Sequence, residues 1–402
     1  MLIKLARAGG RALAGGNAAQ AAAGFAANLL LVRFVVPEDF GRFPVILATV
    51  NLALVMASLR TNILIIRYPE AGLDSRRLAV YHSISVIETI LVTLGAALWL
   101  ALAEDAGPLE LSLLAAIGLA HWLNLNKAFF ERSMAYGRIA ICETATSLTG
   151  HAVSVVAVLT GLGALSLYLR EIVAALVQAA ALGRASALTL HPLVWPSAAE
   201  WRGVLAEARG AWADGVLEGA LARVVILCTA ALGGERAAGL LAQAQRLAGV
   251  RHQVLAPMVT RVAGTWFGQT TDAGEKTAGR RRLLVMVALP LAIAAAEGQC
   301  LFADPVVPWL FCENWRAAAP LLAALGGFIL FNTLFEIGRS YALAGGLTLP
   351  LMAGRLCQYG GLGLGLALAQ ADPAMGAALG LSVAAIAAFT LTEALLRRRE
   401  ER

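Results

Sequence analysis

Charged side chains are scarce in this chain of 402 residues. Asp, Glu, Lys and Arg together make up 14% of it, against about 25% in soluble domains, whereas 59% of the residues are hydrophobic. A water-soluble fold of this length would expose far more charge, so the composition excludes a soluble globular protein. It predicts an integral membrane protein instead.

Cysteine and histidine are also few, with five of each. The cysteines are scattered through apolar runs without a Cys-x-x-Cys spacing, and the histidines are isolated from one another. A disulfide framework, a metal centre and a bound cofactor are therefore not expected. The net charge of +6 does not indicate a nucleic acid partner, because in a membrane protein the placement of the charges matters more than their sum.

Long apolar runs recur along the whole chain, each near the 20 residues that a helix needs to cross a bilayer. They predict an all-α integral membrane fold with about twelve transmembrane helices. Two six-helix halves, 1–190 and 212–402, are joined by a cytoplasmic amphipathic linker helix at 191–211. The predicted spans are 12–36, 43–66, 79–103, 111–130, 140–162, 165–190, 212–233, 238–266, 283–303, 318–338, 345–369 and 374–396.

The linker helix has a recognisable start. Ser197 followed by Glu200 forms a capping-box pattern, which predicts a helix beginning at this point. Trp201, Val204 and Trp212 recur at helical spacing on one face, and charged residues occupy the rest. Such a helix suits the membrane surface, although packing of its apolar face on the protein is the alternative.

The distribution of Lys and Arg between the loops predicts the orientation of the chain. If the N-terminus is cytoplasmic, the basic clusters at Arg76–Arg77, Arg280–Arg282 and Arg397–Arg399 all fall on the cytoplasmic side, and few basic residues fall on the other. Both termini are therefore expected in the cytoplasm. The protein is expected to be a multi-pass membrane protein.

Several arginines lie within the predicted spans. Each one facing lipid near mid-span would cost roughly 2.5–3.5 kcal/mol, so they should face protein or a wet cavity. Internal ion pairs and a ligand cavity both satisfy this requirement, and for the group as a whole a cavity is favoured. The candidate cavity residues are Arg60, Arg223, Arg251, Arg355, Arg246 and Arg33. Acidic residues at membrane depth include Glu88 and Glu297, which are candidates for coupling to ion movement.

Glycine is abundant and clustered, as in the run Gly360–Gly365. The run lies within a predicted span with no strand before it, so it does not indicate a phosphate-binding loop. Small residues at such positions let membrane helices approach one another closely. Close helix packing is therefore the interpretation of this run.

Several stretches resemble bacterial polysaccharide flippases. Val36-Pro37-Glu38-Asp39-Phe40-Gly41-Arg42-Phe43 is similar to a turn of that family, Leu310–Leu322 resembles the stretch before its tenth span, and Phe130–Tyr136 resembles its connection after the fourth span. A fourth stretch, from Glu143 to Leu167, is similar to its fifth span and following turn. The family comprises the O-antigen and exopolysaccharide translocases of the multidrug/oligosaccharidyl-lipid/polysaccharide exporter superfamily.

The resemblance implies a function and a set of partners. Members of this family move undecaprenyl-diphosphate-linked oligosaccharide repeat units from the cytoplasmic to the periplasmic leaflet, and the basic cavity would hold the diphosphate head because the arginine fork suits phosphate. No catalytic residues are then needed, and the protein is expected to act as a monomer by alternating access. A polysaccharide polymerase and chain-length or export proteins are further candidate partners.

Four other functions stay open from the sequence. A drug or cation exporter of the same superfamily is one, although its cavity should be acidic. The peptidoglycan-precursor flippases are similar as well, but usually have fourteen spans where twelve are expected here. A membrane enzyme that polymerises or ligates the same glycan belongs to a different class and generally needs a larger periplasmic loop; a non-transporting scaffold for glycan assembly is the last alternative.

Overall fold

The computed structural model describes most of the chain. The described ranges are 2–67, 73–103, 107–133, 135–185, 191–257, 267, 272–295, 303–345 and 347–400. The regular structure in these ranges is helical. This agrees with the prediction from the long apolar runs, because a membrane-spanning segment satisfies its own backbone hydrogen bonds as a helix.

The described helices of the first part of the chain run from α1 to α7. They are α1 (Leu2–Phe34), α2 (Pro37–Ala57), α3 (Thr61–Arg67), α4 (Ser75–Ala103), α5 (Pro108–Arg132), α6 (Tyr136–Leu159) and α7 (Leu165–Arg184). The later helices are α8 (Ala198–Pro257), α9 (Ala273–Ala295), α10 (Ala303–Phe311), α11 (Ala318–Ala324), α12 (Gly326–Ala344), α13 (Thr348–Leu368) and α14 (Pro373–Glu400), with a 3₁₀ turn at Glu313–Trp315.

Eight helical segments of the described chain are long and apolar enough to cross a membrane. They are Phe40–Ala57, Ser75–Leu102, Pro108–Arg132, Gly137–Leu159, Leu165–Arg184, Gly215–Gly249, Ala318–Leu343 and Pro373–Glu400. All eight overlap predicted spans. The segment Gly215–Gly249 covers parts of two predicted spans, 212–233 and 238–266. Between these spans, at Gly234 (φ 77°, ψ 176°), the backbone leaves the helical conformation, so α8 consists of two helical stretches separated by a kink.

The predicted span 43–66 is interrupted in the structure. The chain leaves the helical conformation after Ala57 and resumes it at Thr61, so that α2 and α3 are separated by Ser58-Leu59-Arg60. Hydrophobicity alone does not reveal this break, because only a short polar interval disturbs the apolar run.

The chain divides into two compact units. One comprises residues 1–35 and 46–223, and the other comprises 36–45 and 224–402. The first unit packs α1 on α6, α6 on α7, and α5 on α3, α4 and α7. One of its apolar clusters joins Ile65 of α3, Ile84 of α4 and Leu125 of α5 to Val204 and Ala208 of α8.

The start of α8 therefore packs on protein. Ser197 N–H donates to Glu200 Oε2 at 2.7 Å, and Glu200 N–H donates to Ser197 Oγ at 3.3 Å, which confirms the predicted capping box. Trp201 packs against the apolar cluster, and Trp212 Nε1 donates to the Met56 carbonyl at 2.8 Å. The helix does not end at the predicted linker boundary but runs on into the apolar segment that follows.

The second unit brings together two of the stretches that resemble polysaccharide flippases. The ring centroids of Phe40 and Trp315 lie 5.4 Å apart, edge to face, and the Arg246 guanidinium lies 5.4 Å from the Phe40 centroid. Gly41 contacts the start of the helical stretch after Gly234 so closely that an added Cβ would lie 1.9 Å from the Glu235 carbonyl oxygen. The turn around Phe40 is thus a packing element of this unit.

The glycine run of α13 lies against α14. A Cβ at Gly361 would lie 2.4 Å from the Ala384 Cβ, and a Cβ at Gly365 would lie 2.2 Å from the Gly376 carbonyl oxygen. Gly360 and Gly363 have nothing within 4 Å of such an atom. The interpretation of this run as close helix packing is confirmed, and it applies to one face of the helix only.

Candidate functional site

The break between α2 and α3 displays Arg60 in an unusual backbone conformation. Its φ is 56°, in the left-handed region that non-glycine residues seldom adopt. The preceding residue, Leu59, donates its N–H to Glu88 Oε1 on α4 at 2.9 Å, and Arg60 N–H donates to Ser58 Oγ at 3.3 Å. These bonds satisfy backbone groups that the broken helix leaves open, and so hold the strained residue in place.

The Arg60 side chain extends to α8. Its Nη2 donates to the Gly215 carbonyl at 2.9 Å. A Cβ at residue 215 would lie 2.5 Å from Nη2 and 2.6 Å from Cζ, so a side chain there would displace the guanidinium. Glycine at this position therefore allows the Arg60 guanidinium to lie directly against the helix backbone.

Arg223 lies two turns further along α8. Its Nη1 donates to the Gly219 carbonyl of the preceding turn at 2.8 Å. Arg60 and Arg223 line the same cavity, which has a volume of about 410 Å³. The other residues that line it are Asn51, Leu54, Val55, Ser58, Thr61, Asn62, Ser85, His121, Asn124, Leu125, Glu218 and Gly219. We call this the Arg60–Arg223 cavity; it lies wholly within the first unit.

The two arginines of the cavity differ from other interior arginines in the groups to which they donate. Arg280 and Arg355, at 0% and 4% exposed, donate to carboxylates of Glu393 and Glu336 respectively. Among the described residues, neither Arg60 nor Arg223 is within ion-pair distance of a carboxylate, and both donate to backbone carbonyls. Glu218 also lines the cavity. The cavity therefore presents two guanidinium groups that can still bind an anion.

Arg355 occupies a different environment from the one predicted for a ligand cavity. Its Nη2 donates to Glu336 Oε1 at 3.1 Å, and its Nη1 donates to Gln358 Oε1 at 2.9 Å. Arg339 donates to the other Glu336 oxygen at 3.0 Å, and the Arg355 guanidinium lies 5.0 Å from the Phe335 ring centroid. Inside the second unit, Arg355 thus pairs with a carboxylate that it shares with Arg339, in keeping with the ion-pairing alternative.

The remaining predicted site residues are dispersed. Arg246 lies over Phe40, and Arg33 is exposed at the end of α1. Glu88 is buried beside the α2–α3 break, where it accepts the Leu59 N–H. Arg251 is on α8, but its side chain lies outside the described residues, as does Glu297 altogether. The structure thus brings together two of the predicted arginines, Arg60 and Arg223. It places Glu88 in contact with Leu59, the residue that precedes Arg60.

The polar side chains that share the cavity with these arginines were not among the predicted site residues. His121 and Asn124 are three residues apart on α5, so they lie on the same face of the helix. Asn51 on α2 and Ser85 on α4 complete the polar wall. The available signal was the occurrence of amide and imidazole groups in otherwise apolar spans, where polar residues commonly mark a pathway.

Comparison with protein families gives a match over most of the chain. A family profile described as "Polysaccharide biosynthesis protein" matches residues 30–320. None of the curated protein sequences matches the chain.

Solved structures with the same fold cover nearly the whole chain. A structure titled "Lipid II flippase MurJ, inward closed conformation" has a TM-score of 0.73 and 12% identity, covering 94% of this chain and 86% of that one. An inward-facing multidrug resistance MATE family transporter of the MOP superfamily has a TM-score of 0.65 and 14% identity, covering 95% and 96%. A MOP superfamily transporter from Pyrococcus furiosus, whose title describes a binding pocket of reverse polarity, has a TM-score of 0.61 and 14% identity, covering 96% and 95%.

These similarities establish the fold. The chain has the all-α membrane fold of the MATE and MurJ structures, with about twelve transmembrane helices. This agrees with the number predicted from the apolar runs.

Proposed function

The chain belongs to the polysaccharide biosynthesis protein family, and from that premise we propose that it is a flippase for undecaprenyl-diphosphate-linked oligosaccharide repeat units. It would move them from the cytoplasmic to the periplasmic leaflet of the bacterial inner membrane. The observation that carries the proposal is the Arg60–Arg223 cavity, whose two guanidinium groups have no carboxylate partner among the described residues. The chain shares its fold with structures of a transporter and a flippase, and moving a lipid-linked glycan across a membrane needs no covalent chemistry. Both points support a transport function over an enzymatic one.

The cavity offers groups for both parts of such a substrate head. A diphosphate accepts charge-assisted hydrogen bonds from arginine, with Arg60 and Arg223 each able to turn free N–H groups toward it. The amide groups of Asn51, Asn62 and Asn124 suit sugar hydroxyls, because amides both donate and accept hydrogen bonds. The polyprenyl tail would stay in the lipid while the head occupies the cavity.

Glu88 connects the cavity to a conformational step in this proposal. Its carboxylate holds the Leu59 N–H and thereby the backbone of the α2–α3 break. If Glu88 is the coupling residue, a change in its charge would weaken that bond and shift Arg60 directly. Flipping would then alternate between forms that expose the cavity to opposite faces of the membrane.

Orientation and assembly state follow the charge distribution of the loops. Both termini would be cytoplasmic, with Arg397–Arg399 at the inner face, and the protein would act as a monomer. A fluorescent protein fused after residue 402 should fold and fluoresce, whereas alkaline phosphatase at the same position should stay inactive. The reverse pattern would place the C-terminus in the periplasm and reject this orientation.

The decisive experiment measures the leaflet position of lipid-linked repeat units in a strain lacking the gene. Repeat units should accumulate in the cytoplasmic leaflet, and the wild-type gene should release them. The double variant Arg60→Gln/Arg223→Gln should reach the membrane in normal amount but fail to release them. Binding of undecaprenyl diphosphate to the purified variant should weaken at least about tenfold per arginine, from roughly 1.5–3 kcal/mol for each charge-assisted bond.

Arg202→Gln is the matched control. Arg202 lies on the same helix and, like Arg223, donates to the carbonyl four residues before it, here Ala198 at 3.2 Å, but it is exposed and does not line the cavity. It should restore transport fully. Full activity of the double variant would overturn the role of the cavity. Polymer of abnormal linkage in the deletion strain would instead indicate an enzyme, and a normal leaflet distribution would favour a drug or cation exporter.

A further inference from the structure

A second basic site lies on the outside of the first unit, between α6 and α7. The groove there has a volume of about 640 Å³ and is lined by Arg138, Ile141, Cys142, Ala145, Ala181, Arg184 and Ala185. We call it the α6–α7 groove. None of its lining residues belongs to the Arg60–Arg223 cavity.

The topology places both arginines of the groove at the same membrane boundary. α6 begins at Tyr136 and α7 ends at Arg184, and the two helices are joined by the short turn at Thr160–Ala164. They therefore run antiparallel, with Arg138 in the first turn of one beside Arg184 in the last turn of the other. Both helices are among the segments apolar enough to cross a membrane, so this end of the pair lies where headgroups begin.

Neither arginine is neutralised within the described part of the chain. Both side chains are exposed, and neither forms an ion pair with a described carboxylate. Arg138 lies 5.9 Å from the Phe130 ring centroid, a contact that leaves its N–H groups available. The adjacent Glu143 lies 3.7 Å from Lys127, so its charge is already balanced.

The surface one turn deeper is apolar. Ile141 is 72% exposed and Ala145 is also exposed, although both lie inside a membrane-crossing helix. Ala181 and Ala185 form the opposite wall, and their small side chains leave room between the helices. A soluble anion would use only the arginines, whereas a phospholipid would use both the arginines and this apolar surface.

We propose that the α6–α7 groove binds an anionic phospholipid, with its phosphate between Arg138 and Arg184 and an acyl chain along Ile141 and Ala145. The two arginines favour this occupant over a zwitterionic lipid, because their charges complement an anionic headgroup. The exposed apolar surface one turn deeper favours it over a soluble anion. The site is independent of the proposed transport function, because it shares no residue with the Arg60–Arg223 cavity. It would stabilise the α6–α7 pair in membranes rich in anionic lipid.

The test compares lipids added to the detergent-solubilised full-length protein. Binding of phosphatidylglycerol, followed by native mass spectrometry and by the rise in unfolding temperature, should exceed that of phosphatidylcholine. In Arg138→Gln/Arg184→Gln the affinity for phosphatidylglycerol should fall about twenty-five-fold, from roughly a fivefold contribution per arginine. Arg202→Gln should behave as wild type, and Arg138→Lys/Arg184→Lys should retain most of the preference because the charges remain.

Three outcomes would overturn the proposal. One is an undiminished preference for phosphatidylglycerol in the double Gln variant. Another is equal binding of the two lipids by the wild type. The third is the same stabilisation by inorganic phosphate alone, which would identify a site for a soluble anion. Because Arg60 and Arg223 are unchanged in all these variants, failure here leaves the transport proposal untouched.

Discussion

Gly365 of α13 lies so close to the backbone of α14 that an alanine at this position should destabilise the protein. An added Cβ at Gly365 would lie 2.2 Å from the Gly376 carbonyl oxygen and 2.6 Å from the Gly380 Cα, whereas ordinary van der Waals contact begins near 3.4 Å. These neighbours are backbone atoms and cannot turn aside. Gly365→Ala must therefore push the two helices apart by about 1 Å.

The magnitude follows from two opposing effects. Overpacking a well-packed contact costs about 1–3 kcal/mol, and replacing a helical glycine by alanine returns up to about 1 kcal/mol. Gly363→Ala is the matched control in the same helix, because no atom lies within 4 Å of its Cβ position. It should leave stability unchanged or raise it slightly, so the two variants should differ by roughly 1–3 kcal/mol.

Thermal unfolding of the two variants in one detergent, followed by size-exclusion chromatography after heating, measures this difference. Gly365→Ala should lose its monodisperse peak at a clearly lower temperature than Gly363→Ala. Equal midpoints for the two variants would refute the reasoning, because both sites lie in α13 and only Gly365 has backbone atoms of α14 within contact distance of an added Cβ.

Two further predictions concern charged groups outside the cavity. Arg280→Gln should destabilise the protein by about 3–5 kcal/mol, because it leaves the buried Glu393 without its partner. Arg281 is 65% exposed, so Arg281→Gln should change stability by at most about 1 kcal/mol. Thermal unfolding midpoints measure both effects, and equal losses of stability in the two variants would contradict the role of the buried ion pair. The hydrogen bond from Arg76 lowers the pKa of Glu200 to about 2. This value is below the pKa of a free glutamate. The bond between Glu200 of α8 and Arg76 of α4 should therefore be intact above about pH 4.5 and be lost as the pH falls toward 2. Hydrogen exchange at residues 198–204, corrected for intrinsic rates, should accelerate only between about pH 4.5 and pH 2. The same pH dependence in Glu200→Gln would show that protonation of Glu200 is not its cause.

Much of the fold was predictable because membrane helices follow local rules. A spanning helix must satisfy its own backbone hydrogen bonds and present apolar side chains, and both requirements are visible in a single run of residues. The capping box at Ser197 and Glu200 is local in the same way. The break at Ser58-Leu59-Arg60 was not predictable, because it depends on a carboxylate from α4 that accepts the Leu59 N–H.

The candidate site was only partly predictable for a related reason. Charge within an apolar run made Arg60, Arg223 and Arg355 all candidates for the cavity, since each is unfavourable in lipid. Only the structure separates them, because Arg355 meets Glu336 from another helix while the first two arginines meet backbone carbonyls. The contribution of His121 and Asn124 also required the packing of α5 beside the break.

The sequence by itself determined that this protein is a helical membrane protein with about twelve spans, that its glycine run packs against another helix, and that arginines lie at membrane depth. Each of these follows from composition or spacing along one helix. Tertiary structure decided which arginines are neutralised and which line an open cavity, because the partners of a buried charge come from helices far away in the chain. The family and the cavity together then gave the proposed transport of an anionic lipid-linked glycan.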